Sequence, residues 1–354
     1  MNKKTIFITG GAGYVGEMLG EQFSKRSDVE RVIVLDKEGR PKSFDGNNKI
    51  VWISANTSDG TWQSRVASYN PDVVIHTAWQ IREMYGKKKL QWKWNVEGSD
   101  DVFNFAFSTP SVKKLIYFST VSSYGASQSN TFEHYFKEEE PFIEDMYLYG
   151  IEKKEVEARL RNKYEMSKEK APQIFIVRPA AITGPRGRFM RIRFGLQSAL
   201  SGQLKESIIH RIISFMVSYV PATKGWVRQF IHEDDVADIV GLFAFNDLEG
   251  EYEVFNISPP GEPVYSKDMA RAVGKKVLMV YPWIIRIVFF FFWHLTRGRV
   301  PTSKGGWKFY SYPILVDGNR ITKRYNFNYS CNSKDAFYST KGRYEKYVPE
   351  KSRR

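Results

Sequence analysis

The sequence predicts an α/β chain built on a doubly wound parallel sheet, and three observations predict it. The first is the stretch Thr5 to Gly16, where an apolar strand runs straight into glycines at positions 10, 13 and 16. The second is alternation. The strand-like runs Arg31–Leu35, Lys49–Ile53, Pro71–His76 and Lys114–Phe118 are separated by loop and helix segments, the pattern of parallel strands with helices on both faces. The third is size: 354 residues with 42% hydrophobic content supply the core of one large α/β domain with a smaller lobe.

Each glycine has a physical task. Gly10 allows the tight turn out of the strand, Gly13 lets the backbone approach a pyrophosphate, and Gly16 lets the next helix pack closely. Tyr14 and Val15 sit in the same turn, where a helix N-terminus offers unpaired N–H groups to an anion. Asp36 ends the second strand, 36 − 16 = 20 residues past the last glycine, where an acid accepts the ribose hydroxyls of a dinucleotide. The expectation is a Rossmann fold binding NAD, since a carboxylate repels the 2′-phosphate of NADP; Lys37 and Arg40 are the residues able to soften that preference.

In such a sheet, ligands lie across the carboxyl ends of the strands. His76-Thr-Ala78-Trp79 and Ser119-Thr-Val-Ser-Ser-Tyr-Gly125 therefore line the expected cleft, with His76 in a positioning role. Trp94-Asn95-Val-Glu-Gly98 leads into an amphipathic helix whose phenylalanines read as core. Further on, Tyr149 and Lys153 stand at i and i+4, on one helix face. Poising a tyrosine near neutrality needs about 4 kcal/mol of preferential phenolate stabilisation, which a neighbouring ammonium and an oxidised nicotinamide together can supply. The acidic run Glu138 to Glu140 reads as a solvated loop, and no metal ligand set is expected.

With these motifs in this order, the chain resembles the extended short-chain dehydrogenase/reductases, specifically the nucleotide-sugar epimerases and dehydratases. The resemblance continues through Arg178-Pro-Ala-Ala-Ile-Thr-Gly-Pro185, Arg228-Gln-Phe-Ile-His-Glu-Asp-Asp235, Val254–Ser258 and Leu315–Arg320. It implies a Rossmann domain over residues 1–182 completed by about 228–258, and a discontinuous substrate lobe from 183–227 and 259–345, followed by a basic tail at 346–354. It implies Tyr149 as general base, Lys153 as its partner on the nicotinamide ribose, and Thr120, or nearby Ser122, on the reacting sugar oxygen. Asn95, Ser119 and Arg178 join the cofactor set. Arg228 contacts the substrate diphosphate, with an ion pair to Asp234 or Asp235 as its other reading. Where the family often carries an asparagine after the Gly-Pro loop, this chain has Arg186 and three further arginines up to Arg193, which either clamp phosphates or face solvent.

Net charge is +14, and residues 281–354 hold 15 Lys or Arg against 4 Asp or Glu. Such a surface attracts anionic substrates or acidic lipid, and no recognised nucleic-acid module accompanies it. The aromatic segment Ile284–Leu295 is too short to span a membrane. It reads as a core helix, a homodimer contact, an apolar substrate pocket or an interfacial membrane helix. The single cysteine, Cys331, excludes a disulfide framework, and the expected location is the cytoplasm.

The leading functional expectation is an NAD-dependent epimerase of a nucleotide-sugar. Dehydratases of the family carry an Asp-Glu pair directly after the catalytic threonine, and here those positions are Val121 and Ser122. A dehydrogenase or reductase of an apolar, sterol-like alcohol is the second expectation, and a dinucleotide-sensing binding protein the third.

Overall fold

The computed structural model describes residues 3–187, 219–272 and 274–345. The arginine run is therefore described only through Gly187, and the basic tail lies outside the described residues. Seven strands form the central sheet: β1 (Lys4–Thr9), β2 (Val29–Asp36), β3 (Ile50–Ser54), β4 (Val73–His76), β5 (Lys114–Phe118), β6 (Gln173–Pro179) and β7 (Tyr252–Ile257). Their order is β3-β2-β1-β4-β5-β6-β7, with every neighbouring pair parallel. Strand order reverses between β1 and β4, and that switch point leaves a crevice at the carboxyl ends.

The helices that cover the sheet are α1 (Tyr14–Ser24), α2 (Gly98–Ser108), α3 (Leu148–Met166) and α4 (Glu233–Phe245). Successive strand residues point to opposite faces, and both faces are covered, so the strands read as unbroken apolar runs. In β1, Ile6 and Ile8 pack with Met18, Leu19 and Phe23 of α1 and Val236 and Val240 of α4. Phe7, between them, packs in the opposite layer with Phe103 and Phe105 of α2.

Charge enters this core where a helix end can receive it. Lys114 of β5 donates to the carbonyls of Phe243, at 2.9 Å, and Asn246, and Lys4 of β1 donates to Ala244 at 3.1 Å. Both ammonium groups thus meet the negative end of α4. Burial still pushes the Lys114 amine down to about 8.

Helix α5 (Pro282–Leu295) starts with proline at its first position, where the missing N–H costs nothing. Only Ile285, Phe289 and Trp293 of it are buried, at i, i+4 and i+8. The core-helix reading thus holds for one stripe, and most of the aromatic run faces outward. Among the described residues no helix is long and apolar enough to cross a membrane.

Phe243 stacks on Phe175 at 4.5 Å and on Phe255 at 5.3 Å, joining α4 to β6 and β7. Phe243→Ala should cost about 3–5 kcal/mol, read as a lowered urea midpoint with an unchanged slope. A loss under about 1 kcal/mol would mean that the layer collapses around the cavity.

Candidate active site

A cleft of about 910 Å3 runs along the carboxyl ends of the strands, lined by the glycine turn, Asp36, Thr77–Glu83, Thr120–Ser122 and Tyr149. Gly10 has a φ of +79°, and a Cβ there would lie 2.6 Å from the Ala78 amide nitrogen. A Cβ on Gly16 would overlap the Gly10 carbonyl. Side chains at these two positions would prise the turn off the β4 loop and α1 off the turn. Gly13 opens α1 in extended conformation with no side-chain cap, and the first intrahelical bond runs from Glu17 N–H to the Gly13 carbonyl at 2.9 Å. The amides of Val15 and Gly16 precede that bond at the cleft wall, as an anion site requires.

The Asp36 carboxylate accepts from the Ala12 N–H and the Glu38 N–H, both at 2.9 Å, which fixes it beside the turn. Lys37 pairs with Glu38 at 2.6 Å, both of them on the cleft wall, and Arg40 donates to the Phe44 carbonyl at 2.5 Å. The two cations that could have favoured a 2′-phosphate thus each have an internal partner. An uncapped helix start, a glycine cradle that a Cβ would fill and a fixed ribose carboxylate together fit NAD.

Across the cleft, burial pushes the Tyr149 phenol up, and a hydrogen bond with Thr120 opposes that shift. Lys153 stands one turn further along α3. Its ammonium donates to the Phe118 carbonyl and lies 3.5 Å from the Trp79 ring centroid and 4.7 Å from that of Tyr117. Lys153 is absent from the cleft wall, while Trp79, which covers it, lines the cleft. Burial holds the Lys153 pKa well below the ordinary lysine range.

Between the short helix at Lys88–Trp92 and α2, the π-helical turn Lys93–Glu97 presents Asn95. The Asn95 side chain accepts from the Gln80 N–H at 2.7 Å and donates to the Gln80 carbonyl at 3.0 Å, gripping the cleft loop by both peptide groups. It also donates to Glu152 at 2.7 Å, as Gln91 does at 3.2 Å. Glu152 is fully buried, and desolvation raises its carboxyl to about 7 despite these bonds.

At the other end of the cleft stand Ser122, Arg228, Phe289, Trp293, Phe309 and Tyr310. Arg228 donates to the carbonyls of Val227, at 3.3 Å, and Phe309. Among the described residues no carboxylate pairs with it, so the ion pair to Asp234 or Asp235 does not form, and burial lowers its pKa to about 10.

The structure thus brings Gly10, Gly13, Tyr14, Val15, Gly16, Asp36, Ala78, Asn95, Thr120, Ser122, Tyr149 and Arg228 to one cleft. Besides Lys153, four other candidates lie off its wall. His76 bonds to Thr9 at 2.7 Å and Ser99 at 2.9 Å, and burial takes its pKa to about 3, so it is a neutral tie between β4, β1 and α2. Ser119 donates to Glu157 at 2.6 Å, and Arg178 pairs with the same carboxylate while donating to Tyr124 at 2.7 Å. Arg186 is held by Glu17 at 2.5 Å and Glu21 at 3.1 Å on α1. In each case a buried polar group has taken the nearest internal partner, because leaving it unpaired costs more.

Sequence reasoning missed Glu152; it put Trp79 on the cleft, where the structure has it, and left an apolar pocket as one of four readings of the run that holds Phe289 and Trp293. Glu152 was detectable, since it falls among the core positions of α3 between Gly150, Lys153 and Val156. No sequence signal says which stripe of α5 meets the cleft.

The fold and the cleft define a Rossmann-type dinucleotide enzyme. More narrowly, the chain belongs to the NAD dependent epimerase/dehydratase family, whose model matches residues 6–258, and NAD is its cofactor. The uncharacterized protein y4nG of Sinorhizobium fredii (strain NBRC 101917 / NGR234) is 26% identical over 257 residues, 72% of this chain and 56% of that protein, so the chain spans little more than half of this relative. The UDP-glucose 4-epimerase GEPI48 of Cyamopsis tetragonoloba is 26% identical over 310 residues, 79% of this chain and 84% of the epimerase. The Bordetella bronchiseptica enzyme WbmG, solved with NAD and UDP, superposes with a TM-score of 0.68 at 23% identity, over 97% of this chain and 94% of that one. Solved structures of similar fold include both epimerases and dehydratases.

Glu152 yields a signed prediction. Its carboxyl titrates near 7 when folded against 4.5 when free. The folded state therefore holds the extra proton between those values, and stability falls as pH rises through that window, by up to about 3 kcal/mol. In Glu152→Gln the amide oxygen can still accept from Asn95 and Gln91. Its melting temperature should exceed that of the wild type at about pH 8, with the gap closing towards about pH 4.5. A gap independent of pH would show that this carboxyl does not titrate in the window.

Proposed function

We propose that this chain is an NAD-dependent epimerase of a nucleotide-sugar, acting in the cytoplasm with Tyr149 as general base. One observation carries the choice of substrate: Arg228, a half-buried guanidinium without a carboxylate partner among the described residues, lines the same cleft as Thr120 and Tyr149. A desolvated cation of this kind favours an anion that can be forked, and a nucleoside diphosphate is such a group. The segments 183–227 and 259–345 would form the lobe that closes over it.

In this reading the Thr120 hydroxyl orients the reacting sugar hydroxyl, and the Tyr149 oxygen takes its proton and later returns it. When bound, NAD supplies the reversible hydride acceptance that the oxidation requires. Asn95 and Glu152 hold the Gln80 loop in place, while the aromatic wall of Phe289 and Trp293 keeps water from the ketone. Epimerisation needs one proton-transfer residue and room for the ketone to turn over. Elimination of water needs an acid and a base as well, and Val121 and Ser122 are neither. Glu83, the carboxylate on the cleft wall outside the ribose corner among the described residues, is engaged by Lys88 at 3.3 Å.

The aromatic lining favours one second reading, a dehydrogenase or reductase of an apolar alcohol. The two differ in redox stoichiometry. With a panel of UDP- and dTDP-sugars the purified protein should interconvert one pair of epimers without accumulating NADH. One equivalent of NADH per product would select the second reading, and a product lighter by one water would make it a dehydratase. Retained NAD without any turnover would leave a dinucleotide-sensing binding protein.

Tyr149→Phe should lower turnover by about a hundredfold or more while NAD stays bound; activity within about tenfold of wild type would remove Tyr149 as the base. Arg228→Leu should weaken UDP binding by about tenfold or more, since a charge-assisted fork is lost, and unchanged affinity would place the diphosphate elsewhere.

A further inference from the structure

Helix α5 has two faces with different tasks. Its inner stripe walls the cleft, where Phe289 packs on Tyr310 at 5.4 Å and Trp293 packs on Tyr85 at 5.4 Å. Its outer stripe, Trp283, Ile287, Phe290, Phe291 and Leu295, recurs at helical spacing, and Phe291 and Leu295 are 64% and 83% exposed. Leu278 and Met279 of the preceding strand and Tyr281 extend the patch. A contiguous apolar surface of this kind marks an interaction site.

The surrounding charge says what covers it. Residues 269–316 contain eight Lys or Arg and no Asp or Glu. Arg286, Arg297, Arg299 and Lys304 among them are exposed beside or on the helix. A second copy of this chain would set two such acid-free segments against one another, which like-charge repulsion opposes. An anionic lipid surface complements them. Tyrosine and tryptophan at the helix start are the residues that settle at a bilayer interface, and a helix of 14 residues lies in that plane without crossing it.

We propose that α5 docks the protein on an anionic membrane surface, its outer aromatic stripe in the headgroup boundary and its flanking cations on the lipid charges. The inner stripe of the same helix then sets the substrate end of the cleft directly behind the headgroups. This goes beyond the epimerase reading and does not depend on it, because the test reads binding rather than turnover.

The full chain is sedimented with vesicles of phosphatidylcholine alone and with vesicles in which about a third is phosphatidylglycerol. It should pellet with the anionic vesicles at about 50 mM salt, and binding should fall at least about fivefold at about 0.5 M. Brominated lipid should quench tryptophan fluorescence. The double variant Phe291→Glu/Leu295→Glu, altered only on the outer stripe, should bind about tenfold or more weakly while keeping wild-type melting and NAD affinity. No pelleting at low salt would overturn the proposal, as would a double variant that binds like the wild type. A dimer that the double variant dissolves, without lipid binding by the wild type, would assign the face to a second copy and overturn it equally.

Discussion

The structure depends on one close approach, the packing of helix α1 and the β4 loop against the turn at Gly10. The Gly10 backbone faces the Ala78 amide on one side and the start of α1 on the other, at separations that leave no room for a Cβ. That contact sets the helix N-terminus at the carboxyl edge of the sheet, where its amides can meet phosphate. It also places Asp36 within reach of Ala12, so the carboxylate at the end of β2 is fixed by the glycine turn. The strand order then determines what else arrives, because β4 ends beside β1 and β5 beside β4, which delivers Trp79 and Thr120 to the same edge.

Around the cleft the protein keeps several charges out of water without neutralising them all. Arg178 and Arg186 are matched by carboxylates and serve as internal struts. Lys153 is held by a carbonyl and two aromatic rings, and Arg228 by carbonyls, so among the described residues neither has a directly paired anion. Buried cations of this kind cost stability unless something compensates them. Their concentration around one cleft is the electrostatic counterpart of a site for anionic ligands, and it agrees with membership of a family whose cofactor carries a diphosphate.

The sequence by itself determined the frame. Alternating apolar runs and helical segments settle a parallel sheet, because strands covered on both faces must be apolar throughout. The glycine spacing and Asp36 mark the expected dinucleotide corner, because each task there is local to a turn and the strand beside it. Tyr149 and Thr120 were legible for a similar reason, since strand ends and a helix register place them.

What the tertiary structure decided is the pairing of each polar side chain. His76, Ser119, Arg178 and Arg186 all lie near the cleft in sequence terms, yet each is captured by a partner 21 to 165 residues away that only folding brings close. Lys153 stands on the predicted face of α3, and Trp79 claims its ammonium because the β4 loop folds over it. The two faces of α5 likewise became distinct only on packing. In a run that is apolar all round, periodicity cannot say which stripe is buried, and the neighbours at Tyr85 and Tyr310 choose it.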